Sequence, residues 1–169
     1  RTSALGRKSF SGLLTMIELL LGMHSTPDAL SKFHHAQGTI QLVRSGEQAT
    51  VSMQVPVSPR KAWKVLTNYT QTLGAMPDVV SVQLISRQNQ TVRLRQVLQA
   101  PYTFGLRVQA LLEGKEDPRG LRLSYNLVSG ERIRALSGRW TLTPEAGDTR
   151  VVHSIRLTPE VPALMRGTF

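Results

Sequence analysis

Several residue types are missing or scarce in this sequence, and each shortage excludes a class of function. The 169 residues include no cysteine, so disulfide bridges and thiolate chemistry are excluded. The sequence also contains no phosphate-binding loop, no nucleophile elbow and no zinc-protease motif. Aromatic residues make up only 5% of the chain. This scarcity argues against nucleic acid as a partner, because single strands bind largely by stacking on aromatic side chains.

Acidic residues are outnumbered as well, with 11 Asp and Glu against 21 Lys and Arg, for a formal net charge of +10. A basic excess of this size favours an anionic partner, either lipid headgroups or nucleic acid. The alternative is that the charge only keeps the protein soluble. Composition alone leaves both interpretations open.

Metal ligands are few. The only adjacent pair of histidines is His34-His35, and neighbouring residues on a helix diverge by about 100°, so the two would not share one ion. Tetrahedral metal sites need more convergent ligands than this chain offers. We therefore expect neither a metal site nor a cofactor.

The N-terminal region contains the apolar stretch Ser11–Met23, which follows the basic pair Arg7-Lys8. A positive flank before a short apolar run fits an export leader. The charge of Glu18 inside the run argues instead for an ordered amphipathic helix, and the run is too short to span a bilayer. We expect a cytoplasmic or membrane-associated protein, or an exported one if this stretch is a leader.

A second N-terminal helix is predicted directly afterwards. The sequence Ser25-Thr-Pro-Asp28 is typical of a helix start, and the helix would run through Leu30 and Phe33 to Gly38. We therefore divide the chain into an N-terminal helical extension, residues 1–38, and one domain, residues 39–169.

The stretch Val51–Arg87 changes its hydrophobic period twice. Apolar residues alternate up to Val57, which predicts a strand. Ser58 and Pro59 then suit the cap and first turn of a helix, predicted over Ser58–Tyr69. Alternation resumes at Val80, so a second strand follows the helix.

The rest of the chain reads as a meander of strands separated by turn residues. The sequence predicts an α+β domain in which a curved antiparallel sheet carries helices on one face. Irregular alternation near Ser137-Gly138 predicts a bulge there. The predicted strands are Thr39–Arg44, Val51–Val57, Val80–Ser86, Val92–Gln99, Phe104–Leu112, Leu121–Val128, Ile133–Leu142 and Arg150–Leu157.

Several short motifs, in order, resemble one known family. They are the run from Val55 to Tyr69 with Ser-Pro, Trp and Leu-Thr-x-Tyr, the step Met76–Val79, the segment Leu136–Trp140, and the closing Leu157–Pro162. In this order and spacing they resemble the polyketide cyclase/dehydrase and coenzyme-Q-binding branch of the START-like (SRPBCC) superfamily. The resemblance implies a helix-grip fold, with a hydrophobic cavity between sheet and helix, and a function in binding or carrying a hydrophobic small molecule.

The phase of the strands indicates which side chains would face that cavity. Gln96, Tyr125 and His153 are polar residues on otherwise apolar faces, so each either fixes a ligand oxygen or hydrogen-bonds within the core. We expect a pocket of roughly 300–1,000 Å³. The candidate ligand-binding residues are Trp63, Tyr69, Met76, Leu94, Gln96, Phe104, Val108, Leu123, Tyr125, Trp140, His153 and Ile155.

The opposite strand faces carry arginines, and we expect these to be exposed and mostly unpaired because acidic residues are scarce in the same strands. They form a candidate anionic-surface site. Its residues are Arg93, Arg95, Arg107, Arg122, Arg150 and Arg156.

Three functions remain open. Carriage of a lipid, quinone or polyketide-like molecule ranks first. A cyclase or dehydratase ranks second, with His153 as the best catalytic candidate, because an imidazole pKa can be moved across neutrality. A basic adaptor that docks on an anionic membrane or nucleic acid ranks third.

The C-terminal segment after Pro162 is too short for the long closing helix that the resemblance implies. Apolar sheet surface left uncovered would favour a homo-oligomer. We therefore predict that the helix at Ser11–Met23 lies against apolar surface, in its own subunit or in a neighbour. The alternative is that this helix contacts a membrane.

Overall fold

The computed structural model describes residues 30–35, 38–74, 79–99 and 105–160. These residues form nine strands and two short helices. The strands are β1 Leu30–His35, β2 Gly38–Ser45, β3 Gln48–Val55, β4 Val79–Gln88, β5 Thr91–Leu98, β6 Val108–Asp117, β7 Arg122–Gly130, β8 Ile133–Glu145 and β9 Asp148–Pro159. The helices are α1 Pro59–Leu66 and α2 Tyr69–Gly74.

All nine strands belong to one antiparallel sheet in the order β1-β2-β3-β9-β8-β7-β6-β5-β4. Consecutive strands from β4 to β9 pair with one another, and β9 returns to pair with β3. Tight turns link β4 to β5 and β8 to β9, with positive φ at Asn89, Ala146 and Gly147. Left-handed backbone at these positions matches the twist of the flanking strands. The predicted class, a curved antiparallel sheet with few helices, is confirmed.

The predicted helix Ser58–Tyr69 forms as two helices. The Ser58 hydroxyl accepts a hydrogen bond from the Lys61 amide, and Pro59 occupies the first turn, as predicted. The chain leaves helical geometry after Thr67, which caps α1, and α2 starts at Tyr69. The break turns the chain, so that α1 packs over β8 and β9 and α2 packs against β4.

Three local predictions were wrong. Residues 30–35 form strand β1 instead of a short helix, because pairing with β2 satisfies their backbone groups and overrides the local helix-start signal. Strand β6 begins at Val108, four residues later than predicted, and continues to Asp117. No bulge occurs at Gly138, which pairs regularly with Tyr125 on one side and Ile155 on the other; the register irregularity of β8 lies between Ile133 and Ala135 instead.

Other predictions lie outside the described residues. These are the helix at Ser11–Met23, the segment after Pro162 and the candidate residues Met76 and Phe104. The division at residue 38 stays a prediction. No helix in the described part of the chain is long and apolar enough to cross a membrane.

The main core lies between the helices and the inner face of the sheet. Ala62, Leu66 and Tyr69 from the helices pack on buried side chains of the strands. A smaller cluster of Leu98, Val108, Ala110 and Ile133 extends this layer along the sheet. The core leaves part of the inner face uncovered, and that space forms the candidate site.

Candidate ligand-binding cavity

A cavity of about 120 Å³ lies between the helices and the inner face of the sheet, and it is partly open to solvent. The sequence predicted a cavity at this place, but the predicted volume was too large. Tyr125, Trp140 and His153 pack on one another along one wall and occupy part of the space. The described residues that line the cavity include no charged side chain.

Eight of the candidate ligand-binding residues line this cavity: Tyr69, Leu94, Gln96, Leu123, Tyr125, Trp140, His153 and Ile155. Two do not. Trp63 is partly buried against the main core, and Val108 belongs to the smaller cluster. Direct contact of the eight with a ligand stays a prediction.

The other residues that line the cavity were not among the predicted ligand-binding residues. Val92, Leu98 and Leu112 share the strand phase of predicted residues, so alternation alone could have identified them. Thr72 and Leu73 lie beyond the predicted end of the helix, where no sequence signal reached. The other lining residues that were missed are Leu66, Val79, Gly114, Ile133, Leu136 and Leu157.

The most polar part of the wall joins strands β7, β8 and β9. The Tyr125 hydroxyl lies 2.8 Å from Nε2 of His153, so the two form a hydrogen bond. Trp140, on the strand between them, stacks on the imidazole with ring centroids 3.7 Å apart and planes within 5°. His153 is buried, and its Nδ1 has no hydrogen-bond partner in the part of the chain that the structure describes. The imidazole therefore has one satisfied and one unsatisfied nitrogen.

Tyr125 lies between two glycines, and one of them, Gly138, makes room for its ring. Gly114 and Gly138 are its cross-strand neighbours on β6 and β8. A methyl group at Gly138 would collide with the phenol ring and hydroxyl of Tyr125. The ring thus lies across the bare backbone of β8, which lets its hydroxyl reach β9. Gly138 looked like a bulge in the sequence, but its role is to make this close approach sterically feasible.

Burial sets the ionisation of the pair. It lowers the pKa of His153 to about 3, because desolvation penalises the imidazolium. It also raises the pKa of the Tyr125 phenol, because the phenolate would lose its hydration. Both side chains are therefore neutral at physiological pH. They can exchange hydrogen bonds with a ligand but supply no charge.

Gln96 is the second polar feature of the cavity. It is buried and lines the wall from β5. An amide in this situation offers both a donor and an acceptor to a bound molecule.

Tyr69 lines the cavity from the start of α2, and its hydroxyl points to the sheet. It donates a 2.6 Å hydrogen bond to the Glu116 carboxylate. Arg87 forms an ion pair with the same carboxylate at 3.2 Å and also donates to the Thr67 carbonyl. Burial and the neighbouring carboxylate raise the pKa of Tyr69. This cluster fixes the junction of the two helices to β4 and β6.

The arginine surface differs from its prediction. Four of its six arginines form ion pairs, namely Arg93 with Glu113, Arg122 with Asp117, Arg150 with Glu145, and Arg156 with Glu47. The prediction considered only acidic residues within the same strands, whereas these carboxylates come from neighbouring strands and turns. The pairing partly neutralises the surface, and its binding to an anionic membrane stays a prediction. No cluster of metal-ligating side chains occurs within the described ranges.

Residues 46–169 match the family described as polyketide cyclase/dehydrase and lipid transport. The chain belongs to this family. A comparison with curated proteins gave no match. The family description names polyketide cyclase/dehydrase and lipid transport, and membership supports only the coarse statement that hydrophobic ligand binding or cyclase-type chemistry is the function.

Solved structures show the same fold. A protein from Thermus thermophilus has a TM-score of 0.63 and 22% identity over 70% of this chain and 78% of its own. The Zhui aromatase/cyclase from a Streptomyces species has a TM-score of 0.60 and 15% identity, covering 69% and 70%. The STAR-related lipid transfer protein from Xanthomonas axonopodis has a TM-score of 0.58 and 17% identity, covering 83% and 90%.

These similarities confirm the helix-grip fold, in which a curved sheet surrounds helices. Strands β3 to β9 make up seven strands of this sheet, and the β1–β2 hairpin extends it beyond β3. At identities this low the similarity establishes the fold and leaves the ligand to be inferred from the cavity.

Proposed function

We propose that this protein binds and carries a hydrophobic small molecule in the cavity beneath α1 and α2. The observation that supports this most is the wall itself, which is apolar apart from a few neutral polar groups. Specific ligand sites in proteins have this composition, with apolar area for affinity and few polar groups for orientation. The family and fold neighbours described above agree with such a function.

The cavity volume limits what fits. A cavity of about 120 Å³ accommodates one aromatic ring or a short aliphatic group, since engineered cavities of roughly 150 Å³ bind benzene. A larger molecule extends out of the open side of the cavity or requires the helices to move away from the sheet. The Tyr69–Glu116–Arg87 cluster opposes that movement, because it ties the helix junction to β4 and β6.

Native mass spectrometry of the purified protein, before and after organic extraction, tests the proposal. We expect an adduct of defined mass that extraction removes. The matched variants are Leu94→Trp, which fills the cavity, and Arg95→Trp, which adds the same group to the exposed face of the same strand. Loss of the adduct in the first variant only supports the proposal. An adduct retained in Leu94→Trp places the ligand elsewhere and contradicts it.

An enzymatic function of the cyclase or dehydratase type is the second candidate, favoured by the hydrogen-bonded Tyr125–His153 pair in the cavity. The low pKa of His153 counts against it, since an imidazole with a pKa of about 3 is a weak base at neutral pH. Incubation of the extracted ligand with fresh protein separates the two functions. A carrier returns the molecule unchanged, whereas an enzyme converts it.

A further inference from the structure

The hydrogen bond between Tyr125 and His153 can be built with its proton in two ways. In one, the Tyr125 hydroxyl donates to Nε2, and the neutral imidazole carries its proton on Nδ1. In the other, Nε2–H donates to the Tyr125 oxygen, and Nδ1 is a bare acceptor. The heavy-atom distance of 2.8 Å fits both. The two arrangements differ in the donor that is left without a partner, which is Nδ1–H of His153 in the first and the Tyr125 hydroxyl in the second. The surroundings of these two groups decide between the arrangements.

The first arrangement leaves an N–H donor at Nδ1, which is fully buried and has no hydrogen-bond partner among the described residues. Orphaned buried N–H groups are rare in proteins, because the lost hydrogen bond to water is not replaced. The second arrangement leaves only a lone pair at Nδ1, which is better tolerated. In this second arrangement, the donor without a partner is the Tyr125 hydroxyl. Tyr125 and His153 both line the cavity, which makes a bound molecule the candidate acceptor for that proton.

We infer that the Tyr125 hydroxyl, held in place by a hydrogen bond from Nε2–H of His153, donates a hydrogen bond to an uncharged acceptor oxygen of the ligand. Tyr125 is then the residue that selects carbonyl compounds over hydrocarbons of the same shape. His153 is a positioning residue, and Trp140 fixes its ring by stacking. This inference rests on the proposed function, because it concerns the same cavity.

The absence of charge narrows the ligand class further. No described side chain on the wall carries a charge. A carboxylate ligand would lose its hydration without gaining a cationic partner, which is strongly unfavourable in an apolar site. A neutral ketone or ester oxygen loses much less hydration and regains a hydrogen bond from Tyr125. The cavity therefore favours neutral carbonyl compounds over acids.

Three small probes of similar size test this: acetophenone, ethylbenzene and benzoate. Binding is measured by NMR titration of the ¹⁵N-labelled protein. We expect acetophenone to bind more tightly than ethylbenzene, and benzoate to bind least. Tyr125→Phe should weaken acetophenone binding about 2- to 10-fold, the usual range for one neutral hydrogen bond, and leave ethylbenzene unchanged.

Ser154→Ala is the matched control, because it also removes a hydroxyl that hydrogen-bonds across strands, to Thr50, but Ser154 does not line the cavity. It should leave the ratio of acetophenone to ethylbenzene affinity unchanged. For the positioning role, His153→Leu should reduce this ratio, and His153→Gln, which retains an N–H donor, should restore it. A ratio that is equal in wild type and Tyr125→Phe overturns the inference.

The ¹⁵N shifts of the His153 ring give a direct readout that a purely structural role would not determine. We expect a protonated Nε2 and an unprotonated Nδ1. The reverse assignment overturns the inference even if the protein binds all three probes. Failure of all probes and of the adduct experiment would instead contradict the proposed function itself, so the two failures are distinguishable.

Discussion

The two faces of the sheet differ in burial and in charge, although alternating residues of the same strands form both of them. On the inner face, Leu94 and Gln96 are buried in the cavity wall, and the polar groups there are neutral. On the outer face of that strand, Arg93 and Arg95 are exposed and interact with polar side chains of neighbouring strands. A polar contact on the inner face has no water to replace it, whereas one on the outer face does. The loss of a hydrogen bond on the inner face should therefore lower the free energy of unfolding more than the loss of a hydrogen bond of similar length on the outer face.

The largest effect is expected where the inner face is most tightly packed. Gly138→Ala places a methyl group against the Tyr125 ring, so Tyr125 must move and its hydrogen bond to His153 breaks. Overpacking and the newly unpaired buried donor together should lower the free energy of unfolding by about 2–4 kcal/mol. Urea denaturation measures this change.

Gly74→Ala is the control, because a methyl group there meets no neighbouring atom and its backbone is not left-handed. It should change stability by less than about 1 kcal/mol. The double variant Gly138→Ala with Tyr125→Ala provides a second check. If Gly138→Ala destabilises this background as much as the wild type, the collision with Tyr125 is not the cause.

The second effect concerns the pH dependence of stability. Burial holds the pKa of His153 at about 3, below the ordinary value of 6.5. Between these values the unfolded chain binds a proton that the folded protein excludes, so stability falls as pH decreases from 6.5 toward 3. The loss from pH 7 to pH 5 should be about 2 kcal/mol.

His153→Gln separates this contribution from those of other groups. Glutamine does not titrate, so the variant should lose about 2 kcal/mol less than the wild type over the same pH interval. The measurement is urea denaturation at pH 7, 6 and 5. Identical pH profiles for the two proteins would show that the folded state accepts the proton on His153, contrary to its burial.

The inner and outer faces also differ in how far the sequence predicted them. The alternation that places Leu94 inward and Arg95 outward is a local property of β5, so it could be inferred without knowing any neighbour. The Tyr125–His153 bond could not, because it joins β7 to β9 across the intervening strand. Gly138 has the same limitation: a glycine in a strand indicates either a bulge or a close approach, and only the neighbouring strand distinguishes them.

The outer face was predicted correctly in orientation and incorrectly in pairing for the same reason. Arg93 faces Glu113 because β5 and β6 pair in that register, which the β5 sequence does not contain. The helix predicted for residues 30–35 was wrong for a different reason, because pairing of β1 with β2 overrides a plausible helix-start sequence. Local alternation predicted which face each residue lies on, whereas the hydrogen bonds and ion pairs depend on contacts between strands that no single segment encodes.

The smallest effect is expected for the Arg93–Glu113 ion pair on the outer face. Its atoms lie 2.9 Å apart, but the side chains are 50% and 31% exposed. Water and salt screen such a pair, so Arg93→Ala should lower the free energy of unfolding by less than about 1 kcal/mol.

Arg95→Ala is the matched control, because Arg95 lies on the same face of β5 and donates to the neutral side chain of Gln83. The difference between the two variants, measured by urea denaturation at low salt and at about 1 M salt, should shrink at high salt. If Arg93→Ala has a larger effect that salt leaves unchanged, the aliphatic part of Arg93 contributes packing, and the outer face resembles the inner face more closely than its exposure indicates.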